Sequence, residues 1–206
     1  ITPFTPYLDL ALTHYFYDPS TAFENTPFRS FMYEYGVLPA QIVFIASGAL
    51  LFLSSFFKRW KKWYRGSLAI VLTLAIGAGL ISHLVFKDHW GRPRPRQVIE
   101  FGGHQEFRPY YSPNLFHQPE PSKSFPCGHC TMGFFFFSLA LVGRRAGSKP
   151  LFWLGIALAL SLGISLSYTR IAQGGHFLSD TLASALIMWL TAYACDRQIF
   201  SKQVTG

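Results

Sequence analysis

The chain alternates between long apolar runs and short polar segments that are strongly basic. Five apolar runs stand out, at 37–57, 67–86, 128–142, 151–167 and 177–195. Four of them approach or reach the length of about 20 residues that a membrane-crossing helix needs. The polar residues in the middle of these runs are small Ser and Thr, whereas channels and transporters carry charged groups there. The pattern predicts an all-α fold, a polytopic transmembrane helical bundle of five spans.

The first 36 residues are rich in aromatic side chains but too polar to cross a bilayer. Leu8, Leu12 and Tyr15 recur at helical spacing, so we expect a short amphipathic helix at the membrane interface that stops at 18–20. An ordered aromatic lid without contact to a substrate is an equally good interpretation of this segment.

The whole chain, 1–206, is expected to form one domain. Its parts are an interfacial segment at 1–36 and a helical bundle at 37–195 that includes an outer loop at 87–125. Because the first residue is Ile rather than Met, the presence of a sixth helix upstream of Ile1 stays an open question.

Composition and charge support a membrane protein. Charged residues make up 14% of the chain, against roughly 25% in soluble proteins. The net charge is +8, but ten of the eighteen Lys and Arg lie in two short loops and the C-terminal tail. Such clustering marks the cytoplasmic side of a membrane, so it argues against a nucleic-acid partner and places the remaining loops on the opposite, outer face.

Polar clusters at 87–96, 125–131 and 168–180 fall on that outer face. The first carries four cations within ten residues, on the side where basic segments are unusual, and therefore indicates a phosphate site. The second places Gly128 and His129 where a helix is expected to begin, and free backbone N–H groups at a helix start favour an oxyanion.

The third cluster combines a permanent cation, a titratable base and a carboxylate. Arg170 suits a phosphate or carboxylate, His176 titrates near neutral pH, and Asp180 follows His176 at i+4. A carboxylate at this spacing can fix the tautomer of the imidazole and leave its other nitrogen able to attack an electrophile. From these residues alone, a structural role at the membrane interface stays open.

In this order and spacing the clusters resemble the signature of the type-2 phosphatidic acid phosphatase superfamily. That signature is Lys, six residues, Arg-Pro; then Pro-Ser-Gly-His; then Ser-Arg, five residues, His, three residues, Asp. The matching residues are Lys87 with Arg94-Pro95, Pro126-Cys127-Gly128-His129, and Thr169-Arg170 with His176 and Asp180.

The resemblance implies a lipid phosphatase that uses no metal or other cofactor and forms a phosphohistidine. It assigns His176 as nucleophile, Asp180 as the residue that orients it, and His129 as general acid. The substrate phosphate would be bound by Lys87, Arg94, Arg170, Cys127 and Gly128. Arg92 is a reserve candidate for the second of these because it begins a neighbouring Arg-Pro.

Cys127 departs from the family pattern, where a serine hydroxyl contacts phosphate, and a thiol is a weaker donor. Cys127 and Cys130 also form a C-x-x-C, so the alternative function is a membrane thiol–disulfide oxidoreductase. Zinc binding by these cysteines and His129 is a further interpretation. Otherwise three cysteines predict no disulfide framework.

The expected partners are the lipid bilayer and a phosphorylated membrane lipid. Phosphatidic acid, phosphatidylglycerol phosphate, undecaprenyl diphosphate and lipid A all place a phosphate at the head-group plane. The long outer loop, with Gly102-Gly103 and Tyr110-Tyr111, looks similar to that of bacterial lipid A phosphatases and favours lipid A. We expect a multi-pass protein of the bacterial inner membrane whose site faces the periplasm or cell exterior.

Overall fold

The computed structural model describes residues 4–115 and 122–201, and these residues form a helical bundle, which confirms the all-α prediction. Its helices are α1 (Thr5–Tyr15), α2 (Pro27–Tyr35), α3 (Leu38–Phe56), α4 (Tyr64–Thr73), α5 (Gly128–Phe134), α6 (Phe137–Arg145), α7 (Lys149–Ala172) and α8 (Leu178–Phe200). A π-helical segment, Leu74–Lys87, continues α4, and 3-10 segments occupy Lys58–Trp63, Pro95–Gln97 and Ile99–Phe101. Strands β1 (Tyr17–Asp18) and β2 (Ala22–Phe23) form a small antiparallel pair. Residues 116–121 of the predicted outer loop lie outside the described residues.

Four helical stretches in the described part of the chain are long and apolar enough to cross a membrane. They are Pro27–Phe56, Lys58–Lys87, Lys149–Ala172 and Leu178–Phe200. Each contains most of one predicted run, namely the first, second, fourth and fifth. The five-span count itself stays a prediction, because the remaining run forms two shorter helices.

That remaining run, α5 and α6, is interrupted at Phe135 and Phe136, whose side chains are fully buried. It packs closely against α7: a side chain on Gly133 would lie only 2.6 Å from the backbone of Gly163. Small residues permit this approach of two helices. The apolar character of the run therefore reflects its place in the core of the bundle.

The basic loops converge at one end of the bundle. Lys61, Lys62, Arg65 and Arg145 line a common cavity of about 1020 Å³ there. Asp196 near the end of α8 accepts from the guanidinium of Arg145 at 2.8 Å. The three polar clusters lie toward the other end, because α7 has 24 residues, or about 36 Å at 1.5 Å per residue. The fold thus separates the two classes of polar segment that the sequence distinguished.

Helix α1 ends at Tyr15, before the predicted stop, and a stripe of its polar residues faces the protein. Its buried residues are polar: Thr5, Asp9 and Thr13. Leu8 and Tyr15, which defined the apolar face, are exposed. The polar stripe faces the protein because Asp9 finds charged and hydroxyl partners inside it.

Candidate active site

The turn between α7 and α8 carries His176. Arg170 was expected on this turn but lies in the last turn of α7, and its carbonyl accepts from the backbone N–H groups of Gly175 at 2.9 Å and His176 at 3.2 Å. Gly174 has a φ of +61°, a conformation that favours glycine. A side chain on Gly175 would collide with the guanidinium of Arg170. The two glycines therefore let the chain reverse tightly around that guanidinium.

His176 and Asp180 face each other in the protein interior. Nδ1 of His176 lies 3.6 Å from Oδ2 of Asp180, slightly beyond hydrogen-bond distance. Oδ2 also accepts from the backbone N–H of Phe177 at 2.8 Å and from Oγ of Ser124 at 2.6 Å. Burial lowers the pKa of His176 to about 4 although Asp180 opposes the shift. The imidazole is therefore neutral at pH 7, the form in which a histidine can act as a nucleophile.

Cationic side chains act on the second histidine. Burial, followed by the charges of Arg170, His176, Lys87 and Arg94, lowers the pKa of His129 to about 4, so this imidazole is also neutral at pH 7 in the free protein. Nε of Arg170 and Nε of Arg94 are buried and have no hydrogen-bond partner among the described residues. Buried donors are normally satisfied, so an anion at this point would complete the arrangement. The structure thus brings together the predicted cations and both predicted histidines.

Gly128 begins α5 directly beside the end of the π-helical segment. A side chain there would approach Nζ of Lys87 to 3.1 Å and Nε2 of His83 to 3.1 Å. The absence of a side chain leaves room next to the lysine for a bound group. Sequence reasoning missed His83, although its i+4 spacing from Lys87 on one helix was a usable signal.

Comparison with known proteins agrees with this geometry. The profile of the PAP2 superfamily matches residues 66–203 of the chain. The chain belongs to the PAP2 superfamily. Together with its membrane-crossing helices, this membership makes it a membrane lipid phosphatase, as the motifs predicted.

Several bacterial proteins named lipid A 4'-phosphatase are similar to this PAP2 chain. The protein from Francisella tularensis subsp. novicida is 33% identical over 165 residues, which cover 78% of this chain and 72% of the relative. The Rhizobium leguminosarum protein is 32% identical over 120 residues, 58% of this chain and 47% of the relative. The match therefore spans less than half of the Rhizobium protein. No solved structure matches the chain.

Tyr33 of α2 is a site residue that the sequence did not reveal. Its ring stacks on the imidazole of His129 with centroids 4.7 Å apart and an interplanar angle of 19°. The guanidinium carbon of Arg170 lies 4.8 Å from the centroid of the same ring. The N-terminal segment therefore contacts two of the predicted site residues. One aromatic among many in that segment gave no signal of this role.

In this PAP2 enzyme the guanidinium of Arg92 is bound by protein groups and is not free to bind phosphate. Its Nε donates to the carbonyl of Arg108 at 2.8 Å, and Nη1 donates to Oγ of Ser179 at 2.7 Å and to Asp180. Nη2 donates to Oδ2 of Asp9 at 2.7 Å. All three nitrogens of the guanidinium are occupied, which leaves Arg92 unable to serve as the reserve phosphate ligand. Asp9 and Ser179 were also missed by sequence reasoning.

Cys127 and Cys130 are joined by a disulfide bond at the start of α5. This corrects two expectations: one disulfide is present, and Cys127 has no S–H group to donate to phosphate. Its Sγ instead accepts from the backbone N–H of Cys130 at 3.2 Å. Both residues are fully buried, so no external thiol reaches the bond, and its sulfurs are not thiolates that could bind zinc. The zinc interpretation therefore gains no support, whereas a C-x-x-C disulfide is also the oxidised form of the oxidoreductase motif, so only its burial argues against that alternative.

Proposed function

We propose that this PAP2 enzyme removes a phosphate group from a membrane lipid, with lipid A as the preferred substrate, through a phosphohistidine on His176. The observation that supports this most strongly is the buried, neutral imidazole of His176 held between Asp180 and a group of cations. A neutral histidine surrounded by positive charge is arranged to attack an electron-poor phosphorus atom and to stabilise the negative charge that develops.

In the first step Nε2 of His176 attacks phosphorus, because Nδ1 faces the carboxylate of Asp180 at 3.6 Å. The bond between phosphorus and the lipid oxygen breaks as the new N–P bond forms. His129 donates a proton to the leaving oxygen. Burial and the nearby cations lower the pKa of this imidazole in the free protein, and the negative charge of the bound phosphate raises it again, so His129 takes up its proton together with the substrate. Asp180 offsets the positive charge that the imidazole acquires, which is the usual contribution of an orienting carboxylate.

Lys87, Arg94 and Arg170 act on the phosphoryl oxygens. Their charges all act on His129, and the buried Nε groups of Arg94 and Arg170 have no hydrogen-bond partner among the described residues, which supports their assignment as phosphate ligands. The backbone N–H of Gly128 adds a donor at the start of α5. Stabilisation of this kind is usually the largest contribution in phosphoryl transfer. Cys127 would contribute its backbone position alone.

In the second step water attacks the phosphorus of the phosphohistidine on His176. The N–P bond breaks, inorganic phosphate leaves, and the water proton returns to His129, now acting as base. The neutral imidazole is restored. No metal ion takes part, because the three cations supply the charge neutralisation that a metal gives elsewhere.

The similarity to proteins named lipid A 4'-phosphatase supports lipid A as substrate. The described part of the outer loop packs against the phosphate motif at Tyr110, whose ring stacks on Phe125 with centroids 6.0 Å apart and whose carbonyl accepts from Nε1 of Trp90 at 2.7 Å. We infer that this segment contacts the head group of the bound lipid. Undecaprenyl diphosphate, phosphatidic acid and phosphatidylglycerol phosphate are the competing substrates.

We further propose that the protein is one multi-pass domain, 1–206, in the bacterial inner membrane, with the site facing the periplasm. The separation of the basic loops from the polar clusters supports this orientation, because basic loops favour the cytoplasmic side.

The test is phosphate release by purified protein in detergent from a panel of the four lipids, followed by mass spectrometry of the lipid products. We expect release from lipid A to exceed that from the other three. Acid-sensitive, base-stable phosphate should be trapped on the protein during turnover. His176→Ala should abolish both signals, and His89→Ala, on an exposed part of the outer loop, is the matched control.

Turnover by His176→Ala at the rate of the parent protein would contradict the phosphohistidine mechanism. If another lipid is hydrolysed preferentially and His176→Ala is inactive, the assignment of lipid A as substrate is wrong but the phosphohistidine mechanism is not contradicted.

A further inference from the structure

We propose that Asp9 in α1 is a positioning residue that acts on the pair His176–Asp180 through Arg92. The inference rests on the proposed function, because it concerns how the nucleophile of that mechanism is held. It gives the N-terminal helix a specific part in the reaction, although this helix lies more than 70 residues before the first family motif.

The connection is continuous at the level of single atoms. Asp9 Oδ2 accepts from Nη2 of Arg92 at 2.7 Å, and Nη1 of the same guanidinium donates to Oδ1 of Asp180. The other oxygen of Asp180, Oδ2, faces Nδ1 of His176 at 3.6 Å. One guanidinium therefore holds one oxygen of the orienting carboxylate and leaves the other directed at the nucleophile.

A second path fixes Asp9 to the same place. Ser179, which directly precedes Asp180, donates its backbone N–H to Asp9 Oδ1 at 2.8 Å and its Oγ to Asp9 Oδ2 at 2.6 Å. Asp9 thus binds the first turn of α8 as well as Arg92. Movement of α1 would change the position of the carboxylate at 180 by both paths.

The charges of Asp9, Arg92 and Asp180 interact strongly because all three side chains are buried. Asp9 and Arg92 are each 1% exposed and Asp180 is 0% exposed, so water screens them little. Two carboxylates share one guanidinium, which leaves the trio with a net charge of −1 next to His176 when both are ionised. Burial raises the pKa of Asp9, and Arg92 and Ser179 oppose that rise. Without the charge of Asp9, Arg92 would neutralise Asp180 alone and weaken its support for a positively charged imidazole. Asp9 therefore affects the charge as well as the geometry of the catalytic pair.

The test is a double-mutant cycle with Asp9→Asn and Asp180→Asn in the full-length protein. We expect Asp9→Asn to lower kcat about 10- to 100-fold, the range typical when a partner behind an orienting group is lost. In the Asp180→Asn background the same substitution should have almost no further effect, because the residue through which it acts is already altered. Inhibition by inorganic phosphate should be unchanged, since the phosphate ligands are untouched.

Asp196→Asn is the matched control. Asp196 is a buried carboxylate on the same helix, α8, and is bound by Arg144 and Arg145 at the other end of the bundle. Its loss should leave kcat within a factor of two while producing a comparable decrease in the melting temperature measured in detergent. Arg92→Lys is the second variant: it keeps the charge but lacks the planar fork that binds two carboxylates, and should lower kcat as Asp9→Asn does.

Independent, multiplicative losses from Asp9→Asn and Asp180→Asn would overturn the inference, as would equal effects of Asp9→Asn and Asp196→Asn. These outcomes remain distinct from failure of the proposed function. Full activity in Asp180→Asn itself would contradict the phosphohistidine mechanism, whereas a severe loss there with an unaffected Asp9→Asn would contradict the role of Asp9 alone. If Asp9→Asn fails to fold, Arg92→Lys in the same cycle decides the question.

Discussion

Replacing Tyr33 by alanine should reduce catalysis by removing the surface that His129 and Arg170 share. Stacked aromatic pairs contribute about 0.5–1.5 kcal/mol, and cation–π contacts contribute about 0.5–2 kcal/mol. The observed separations of 4.7 Å and 4.8 Å suit both interactions. Tyr33 is 45% exposed, so solvent weakens both interactions. We therefore expect their combined loss to cost about 1–2 kcal/mol of transition-state stabilisation, which corresponds to a 5- to 30-fold lower kcat/KM.

The assay is initial-rate phosphate release from lipid A in detergent over a range of substrate concentrations. Two variants make the comparison specific. Tyr33→Phe keeps the ring and should stay within about twofold of the parent protein, because both interactions depend on the aromatic face. Tyr35→Ala removes an aromatic of the same helix that is also 45% exposed but contacts Phe31 at 5.4 Å rather than a site residue, and it should have little effect.

Equal activity of Tyr33→Ala and Tyr35→Ala would refute this reasoning. It would mean that the imidazole of His129 and the guanidinium of Arg170 keep their catalytic positions without the ring between them. A large loss in Tyr33→Phe would also contradict it, by assigning the effect to the hydroxyl group.

Three other predictions concern the chemistry of the site. Because burial lowers the pKa of His176 to about 4, protonation should remove the nucleophile only as the pH approaches that value; an acid limb of kcat/KM near pH 6.5 that substrate ionisation does not explain would contradict this. Joint substitution of Cys127 and Cys130 by serine should leave phosphate release within a few-fold and insensitive to reductant, since a serine hydroxyl is a good N-cap for α5, whereas a redox enzyme would be inactivated. Phosphate release should survive dialysis against EDTA, and a loss restored only by added Mg²⁺ or Zn²⁺ would show that a metal ion participates.

The sequence was most informative where a local pattern corresponds directly to structure. Apolar length predicts helices that cross a membrane because every backbone polar group must be satisfied within the bilayer. Four of the five runs became helices with the required length. The spacing of the motifs also singled out Lys87, Arg94 and Arg170. In the structure the charges of all three act on His129.

Other features escaped because they depend on distant pairings. The run at 128–142 looked like any other span, and only packing against α7 reveals that it lies inside the bundle. The proximity of Cys127 and Cys130 in sequence did not indicate whether their sulfurs bond to each other. Arg92 and Arg94 are adjacent Arg-Pro pairs with similar local chemistry. Their different roles follow from the partners that each guanidinium meets after folding.

The sequence alone predicted the helical membrane fold and the clustering of basic loops, and it proposed the two histidines and their carboxylate as site residues. Only the tertiary structure shows that residues far upstream contact these proposed site residues. Asp9 and Tyr33 belong to helices without a recognisable motif, yet they contact Arg92 and His129. A sequence pattern reports the periodicity of one segment, whereas the pairing of a buried charge or ring with its partner depends on how separate segments pack in three dimensions.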